Sequence, residues 1–293
     1  MAVGTDIAEK ARFDAMTRRR SALMGNELVH SIAEAARDAG AGIMDIYDSG
    51  DFGVEMKSDN SPLTRADMLS HEIIVERLAH LTPDIPVISE EGSIADYAIR
   101  KDWRRFYLVD PLDGTKSFIK RSGEFTVNIA LLDEGVPVLG VIYSPVSDTL
   151  YFSSAGEGSY KVMGKGEPIR IETANPGDHE VLVAVISRSH RTSEEKVFVE
   201  SGIVGECIAS GSSLKFCLVA EGKAHIYPRF GPLWEWDTAA GHAILIEAGG
   251  RVVDVSSYED IIYNKKGLLH GGLLAMPQWL LPEITSSLDN NKP

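Results

Sequence analysis

Cysteine is nearly absent from this chain: Cys207 and Cys217 are the only two in 293 residues. A disulfide framework or a cysteine-built metal site needs more, and neither residue stands at ligand spacing from histidines. The expectation is a reducing compartment with two packed thiols. Long apolar runs are absent too; none approaches the ~20 residues of a membrane helix. The opening stretch MAVGTDIAEKARFDAMTRRRSALMG is charged and mixed, and no apolar segment of signal-peptide length follows its arginines. Met16 and Met24 both stand as alternative starts. Positive charge is scarce: 29 Lys and Arg face 43 Asp and Glu, a formal net charge of -14. That balance argues against nucleic-acid binding, which needs a basic footprint. It does not exclude a small anionic ligand, because placed cations reverse the field locally. The expected location is cytoplasmic, with the TRRRS cluster either solvated or peripheral at the inner face of the membrane.

What is present is the composition of a folded globular protein, 44% hydrophobic and 25% charged. Leu28, Ile32, Ala36, Ile43 and Tyr47 fall near helical spacing and predict a helix from Asn26 to about Tyr47. The polar loop FGVEMKSDNSPLTRAD follows. A second helix is expected from Thr64, where Thr64-Arg-Ala-Asp67 is close to a capping box. The strand PVIS runs into Glu90 and the strand FYLV into Asp110. FTVNIALL, VLGVIY, TLYFSS and SYKV, joined by short turns, read as an antiparallel meander. After Asn175-Pro176-Gly177 the pattern becomes strand–helix alternation. VLVAVIS, ECIAS and AHIY are the strands; SEEKVFVES, SSLKFCLVAEG and DTAAGHAILIEAGG are the helices. The class is α+β / α/β. The expected division is an N-terminal extension over 1–25, a metal-binding lobe over 26–180 and a second lobe over 181–293.

The stretch VDPLDGTKSFI places two carboxylates, Asp110 and Asp113, at the end of an apolar strand. It is either a capped tight turn or a cation site. Three further acids stand at element ends: Asp67 in a first helical turn, Glu90 after a strand, and Asp237 opening a helix. Singly, each has an ordinary explanation as a cap, a dipole partner, a loop residue or a turn. Together they repel unless cations neutralise them. Oxygen ligands without cysteine or paired histidine select Mg²⁺ or Mn²⁺ over zinc. Two such ions suit an in-line phosphoryl displacement. The Leu112 carbonyl lies in the same turn, and Thr115 adds a hydroxyl of the kind that, bonded to a carboxylate, positions and deprotonates a water.

Further along, Gly211-Ser212-Ser213 before a helix is a natural phosphate perch, with Lys215 one turn in. The alternative is an ordinary helix cap with a surface lysine. His190, between Arg188 and Arg191, is either a phosphate or base contact or part of a solvated basic loop. Arg229 in YPRFGP is either a ligand of a second phosphate or a turn residue held by Pro228.

SEEG at 89–92, DPLDGTKSF at 110–118 and WDTAAGHAI at 236–244 resemble the metal signature of the inositol monophosphatase-like, Mg²⁺-dependent, lithium-sensitive phosphatases. The resemblance covers about residues 26–280. KSDNSPLTRAD, GEFTVNIALL and GSSLKFCLVAEGKAHIYPRFGP are similar in particular to the CysQ-type 3'(2'),5'-bisphosphate nucleotidases of sulfur metabolism. The resemblance implies a layered α/β/α/β/α sandwich, with a meander in the first lobe and a mixed sheet in the second. It implies two or three Mg²⁺ ions held by Glu90, Asp110, the Leu112 carbonyl, Asp113 and Asp237, with Asp110 bridging. Asp67 and Thr115 would activate water. Gly114, Ser187, His190, Gly211, Ser212, Ser213, Lys215 and Arg229 would meet the substrate. The implied reaction removes the 3'-phosphate of adenosine 3',5'-bisphosphate, giving AMP and phosphate, with the sulfated precursor as a second candidate. The implied state is a monomer or homodimer. An inositol monophosphatase or sugar bisphosphatase using the same metals is the alternative, and a non-catalytic nucleotide or metal sensor is another. PLWEWD departs from the less aromatic run of many relatives, a change that bears on the base pocket.

Overall fold

Residues 27–57, 61–178, 180–188 and 192–290 are described by a computed structural model. His190, Met16, Met24 and the TRRRS cluster lie outside the described residues. Helix α1 spans 27–49. A short ribbon, β1 (Glu55–Met56) and β2 (Pro62–Leu63), leads into α2 (Arg65–Leu81). Then come β3 (Val87–Ser89), α3 (Tyr97–Arg100), β4 (Arg105–Asp113) and α4 (Thr115–Ile119). The meander is β5 (Thr126–Asp133), β6 (Val136–Ser144), β7 (Thr149–Ser154), β8 (Gly158–Met163) and β9 (Ile169–Ile171). Alternation follows: β10 (Val183–Ser187), α5 (Ser193–Glu200), β11 (Glu206–Ser210), α6 (Leu214–Ala220), β12 (Tyr227–Arg229) and β13 (Leu233–Trp234). The chain closes with α7 (Glu235–Glu247), β14 (Gly250–Asp254), β15 (Leu269–His270), β16 (Leu273–Pro277) and α8 (Leu281–Asn290).

Strands β3 to β9 form one seven-stranded sheet in sequence order. It is antiparallel except at β3–β4, which pair parallel from Val87↔Tyr107 to Ser89↔Val109. The four-stranded meander expected from sequence is therefore extended by β9 at one end and by β4 and the parallel β3 at the other. The parallel pairing brings the C-terminal ends of β3 and β4 to the same edge, where Glu90 follows β3 and Asp110 lies near the end of β4.

Both faces of this sheet are buried, which is why its strands read as near-continuous apolar runs. On one face Val127, Ile129 and Val141 pack with Ile32 and Ile43 of α1 and Ile74 of α2. On the other, Leu108, Ala130, Leu132 and Ile142 meet Phe216 of α6 and Ala239, Ala240 and Ile244 of α7. Val252 and Ala275, from the β12-β16-β14 sheet, close the far side of α7. Behind that sheet, Val253, Leu274 and Met276 pack on Phe198 of α5 and on Leu280 and Ile284. The result is an α/β/α/β/α stack with α7 at its middle. An apolar helix buried all round fits that place. Two glycines let it approach: a Cβ on Gly140 would lie 2.4 Å from Ala240 O, and one on Gly241 2.4 Å from the Phe216 ring.

Two expectations need correction. The strand expected at AHIY begins at Tyr227 and carries Pro228. The proline is tolerated because β12 is an edge strand. Ile226 instead bridges in parallel to Ala184, linking β10 to this part of the fold. Only one thiol is packed: Cys217 is buried in α6, while Cys207 is exposed on β11. Strand β11 pairs with β10 alone, and its residues 206–209 are all exposed. Among the described residues, no helix is long and apolar enough to cross a membrane.

Candidate active site

The two-aspartate turn is built by a bulge. Asp110 pairs with Asn128 and Asp113 with Thr126, so β4 carries one residue more than β5 between them. A bulge re-aims side chains at the end of a strand. Pro111 has no N–H to leave unpaired, and its carbonyl accepts from Ser70 Oγ of α2 at 2.7 Å. Gly114 has φ +97°, and a Cβ there would press on Glu124 O at 3.0 Å. The turn therefore requires glycine.

Glu90, Asp110 and Asp237 each offer a carboxylate oxygen, and these atoms all lie within 4.8 Å of one another. Asp237 is the third residue of α7, not its N-cap; from there its Oδ2 accepts the Trp234 N–H at 2.9 Å, the N3 half of a capping box. Burial raises Asp110 and Asp237 well above the usual carboxylate range, and the neighbouring carboxylates push the same way. Glu90 is raised for the same first reason. Among the described residues, neither Asp110 nor Asp237 has an ion pair. A cluster of anionic oxygens whose one ion-paired protein cation is Lys57 at Glu90, and which has no sulfur or nitrogen donor, fits a hard divalent ion.

Asp113 lies beside this trio and is pinned. Its Oδ2 accepts from Ser212 Oγ at 2.7 Å, Ser213 Oγ at 2.8 Å and Asn128 Nδ2 at 3.5 Å. Its charge is one of those raising Asp110 and Asp237. The Leu112 carbonyl oxygen lies 3.4 Å from Thr115 Oγ1. Sequence reasoning missed Lys57. Its Nζ sits 2.7 Å from Glu90 Oε1 and 2.6 Å from Glu91 Oε1. Burial works against its charge, yet the two carboxylates outweigh it and raise the lysine above its ordinary value. Nothing in KSDNSPLTRAD marks that lysine as different from a surface one.

Asp67 is positioned by the start of α2. Its Oδ2 accepts both the backbone N–H and the hydroxyl of Thr64, at 2.7 and 2.5 Å, in the capping box expected from sequence. Its Oδ1 accepts the Thr115 hydroxyl at 3.0 Å. One carboxylate thus ties a helix start to the two-aspartate turn. Burial raises its pKa, against the three hydrogen bonds that lower it.

The GSS segment does not present open hydroxyls. Besides the bonds to Asp113, Ser213 Oγ lies 3.0 Å from Asp237 O and accepts from Asn128 Nδ2 at 2.8 Å. Ser212 Oγ also lies 2.6 Å from Thr126 Oγ1. The segment is a buckle between β4, β5 and α7. Lys215 is no surface lysine. It is buried, its Nζ donates to Ser212 O at 2.5 Å and lies over the Tyr227 ring, and burial lowers its pKa. A Cβ on Gly211 would meet Glu124 Cβ at 2.9 Å. Arg229 lies 3.3 Å from the buried carboxylate of Glu195, a partner that sequence reasoning did not find. Ser187 ends β10 opposite Ser210, one residue from Gly211. Arg188 is engaged by Glu124 at 2.7 Å.

Residues 26–290 match the family model described as "Inositol monophosphatase family". The chain is 48% identical over 228 residues to the 3'(2'),5'-bisphosphate nucleotidase CysQ of Escherichia coli O157:H7, covering 78% of this chain and 90% of that one. Among solved structures, CysQ from Bacteroides thetaiotaomicron superposes with a TM-score of 0.77 at 44% identity, covering 86% of this chain and 97% of that chain. An inositol monophosphatase from Anabaena superposes with a TM-score of 0.69 at 25% identity, covering 92% and 97%.

Proposed function

This chain belongs to the inositol monophosphatase family, and from that premise we infer that it is a 3'(2'),5'-bisphosphate nucleotidase. It hydrolyses the 3'-phosphate of adenosine 3',5'-bisphosphate to AMP and phosphate. The observation that carries the reading is the Thr115–Asp67 hydrogen bond beside the trio Glu90, Asp110 and Asp237, in a chain 48% identical to a nucleotidase.

Glu90, Asp110, Asp237, Asp113 and the Leu112 carbonyl are the proposed cation ligands, with Mg²⁺ as the ion and Mn²⁺ as a substitute. Divalent cations held by these residues would supply positive charge to offset the substrate phosphate and the charge that grows on it in the transition state. Thr115 Oγ1 already donates to Asp67, so its lone pairs accept a proton from the attacking water and aim it. Asp67, with a raised pKa, takes the threonine proton in turn. The water oxygen bonds to phosphorus, the bond from phosphorus to the 3'-oxygen breaks, and solvent returns a proton to that oxygen. No phosphoenzyme is needed.

Lys57 holds Glu90 and Glu91 in place. Lys215 and Arg229 are the proposed cations for the second phosphate, with Gly114, Ser187, His190 and the GSS segment lining the nucleotide's path. Asp113 gains a second role, since it anchors Ser212 and Ser213. We take the enzyme to work in the cytoplasm as a monomer or homodimer, with the sulfated precursor as a second substrate.

The test is phosphate release with Mg²⁺ from adenosine 3',5'-bisphosphate and from inositol 1-phosphate, side by side. The nucleotide is expected to be preferred by kcat/KM, and EDTA is expected to abolish both rates. A clear preference for the inositol ester assigns the chain to the other branch of the family. Absence of turnover on either leaves the non-catalytic sensor as the reading.

A further inference from the structure

Asp237 is the one residue of the PLWEWD segment used in the chemistry above; Trp234 stands two residues before the Trp236-Asp237 of the metal signature and has no role in it. Trp234 is 40% exposed, a large apolar surface to leave in water. Trp236, two residues on, is 5% exposed and belongs to the core that α7 shares with the seven-stranded sheet. The two rings stack with centroids 5.0 Å apart and planes 10° from parallel. The buried indole therefore braces one face of the exposed one.

The backbone under Trp234 is equally constrained. It pairs with Leu269 in the β13–β15 ribbon, and its N–H is held by Asp237 Oδ2 at 2.9 Å. Asp237 is a member of the acidic trio. The exposed indole is thus rooted on the residue whose amide touches a proposed cation ligand. The root of the indole therefore stands one hydrogen bond from the acidic trio. Leu269, directly across the ribbon and 42% exposed, extends the apolar surface on the same face of the ribbon, because directly opposed side chains point the same way. No charged partner of either side chain occurs among the described residues.

A flat, rigid, exposed aromatic surface beside a phosphate-binding centre is suited to the π-face of a base, and stacking of this kind accepts any base. We propose that Trp234, braced by Trp236, is the platform on which the nucleobase of the substrate stacks. The inference rests on the nucleotidase reading. It makes Trp234 a specificity-determining residue that separates nucleotide substrates from phosphorylated sugars and inositols.

Steady-state rates on adenosine 3',5'-bisphosphate and on its abasic analogue, 1,4-anhydroribitol 3,5-bisphosphate, provide the test. Wild type is expected to favour the nucleotide. In Trp234→Ala the ratio of kcat/KM values, nucleotide over abasic analogue, is expected to fall about tenfold or more, mainly through KM for the nucleotide. Trp234→Phe is expected to recover most of the ratio. Binding of AMP is expected to quench indole emission in wild type and not in Trp234→Ala. An unchanged ratio, or equal losses on both substrates, overturns the platform while leaving the nucleotidase reading intact. A wild type that does not hydrolyse the nucleotide overturns both.

Discussion

The Thr115 hydroxyl donates to Asp67 Oδ1 at 3.0 Å, across 48 residues of sequence. Asp67's other oxygen is fully engaged by Thr64, so the carboxylate is locked by the α2 capping box and can only face Thr115 with Oδ1. A structural cap and the proposed proton acceptor are the same group.

Thr115→Val removes the hydroxyl while keeping the shape. Turnover is expected to drop about 10²–10⁴-fold, the usual range for general acid–base groups. Mg²⁺ affinity, measured by calorimetry, is expected to hold. Thr115→Ser is expected to retain much of the rate. A loss below about tenfold in Thr115→Val removes the threonine from water activation.

Ionising Asp110 is costly in the folded protein. Burial and the nearby carboxylates both favour its neutral form. Asp110→Asn is therefore expected to raise the melting temperature in EDTA, since an unpaired buried charge is removed. The same variant is expected to lose turnover and most of the Mg²⁺-induced rise in melting temperature. Destabilisation in EDTA would show that the carboxylate is stabilised by groups other than a cation.

The approach of α7 to the sheet depends on Gly140, where a Cβ would lie 2.4 Å from Ala240 O. Gly140→Ala is expected to destabilise by about 1–3 kcal/mol or more, because backbone on both sides must move. Gly156 makes the control: its φ is +81° and nothing lies within 4 Å of a Cβ there. Gly156→Ala is expected to cost only the left-handed strain of about 1–2 kcal/mol. Urea titrations of the two variants compare packing with strain, and only Gly140→Ala is expected to lower kcat as well, since α7 carries Asp237.

Two buried histidines bear on acid stability. Burial holds His242 down to about 4 and His270 down to about 3, the latter also opposed by Lys265. Lys265 Nζ lies 2.6 Å from His270 Nδ1, which fits a neutral ring accepting from the ammonium. A base whose folded pKa is depressed stabilises fully above its unfolded value of 6.5. That stability is lost as pH falls from there toward the folded pKa. His270→Phe is expected to flatten the acid limb. Relative to wild type, its unfolding free energy is expected to improve by about 1.4 kcal/mol per pH unit below 6.5. A parallel pH dependence in variant and wild type would show His270 titrating normally.

The capping box at Thr64, the DPLDG turn and the period of each meander strand were legible because they depend on neighbours in sequence. A threonine and an acid three residues apart cap a helix wherever the helix sits. Alternating burial of Val127, Ile129 and Leu131 against Ala130 and Leu132 needs only a pleat with two covered faces. AHIY was misread because Tyr227 to Arg229 forms a strand only by pairing with β16. That pairing spans 46 residues of chain, and Pro228 argued against it locally. Cys207 was misread because exposure on β11 follows from β11 having a single neighbour strand.

The amino-acid sequence by itself determined the acids, their order and the local turns that present them. Tertiary structure decided which of them meet. It placed Lys57 between Glu90 and Glu91 and spent the Ser212 and Ser213 hydroxyls on Asp113. It also buried Lys215 and stacked Trp234 on Trp236 at the edge of the site. Those outcomes come from parallel pairing of β3 with β4 and from burial of α7 between two sheets. Both are packing arrangements between distant segments, and burial is what turns ordinary carboxylates into groups with raised pKa values that call for a cation.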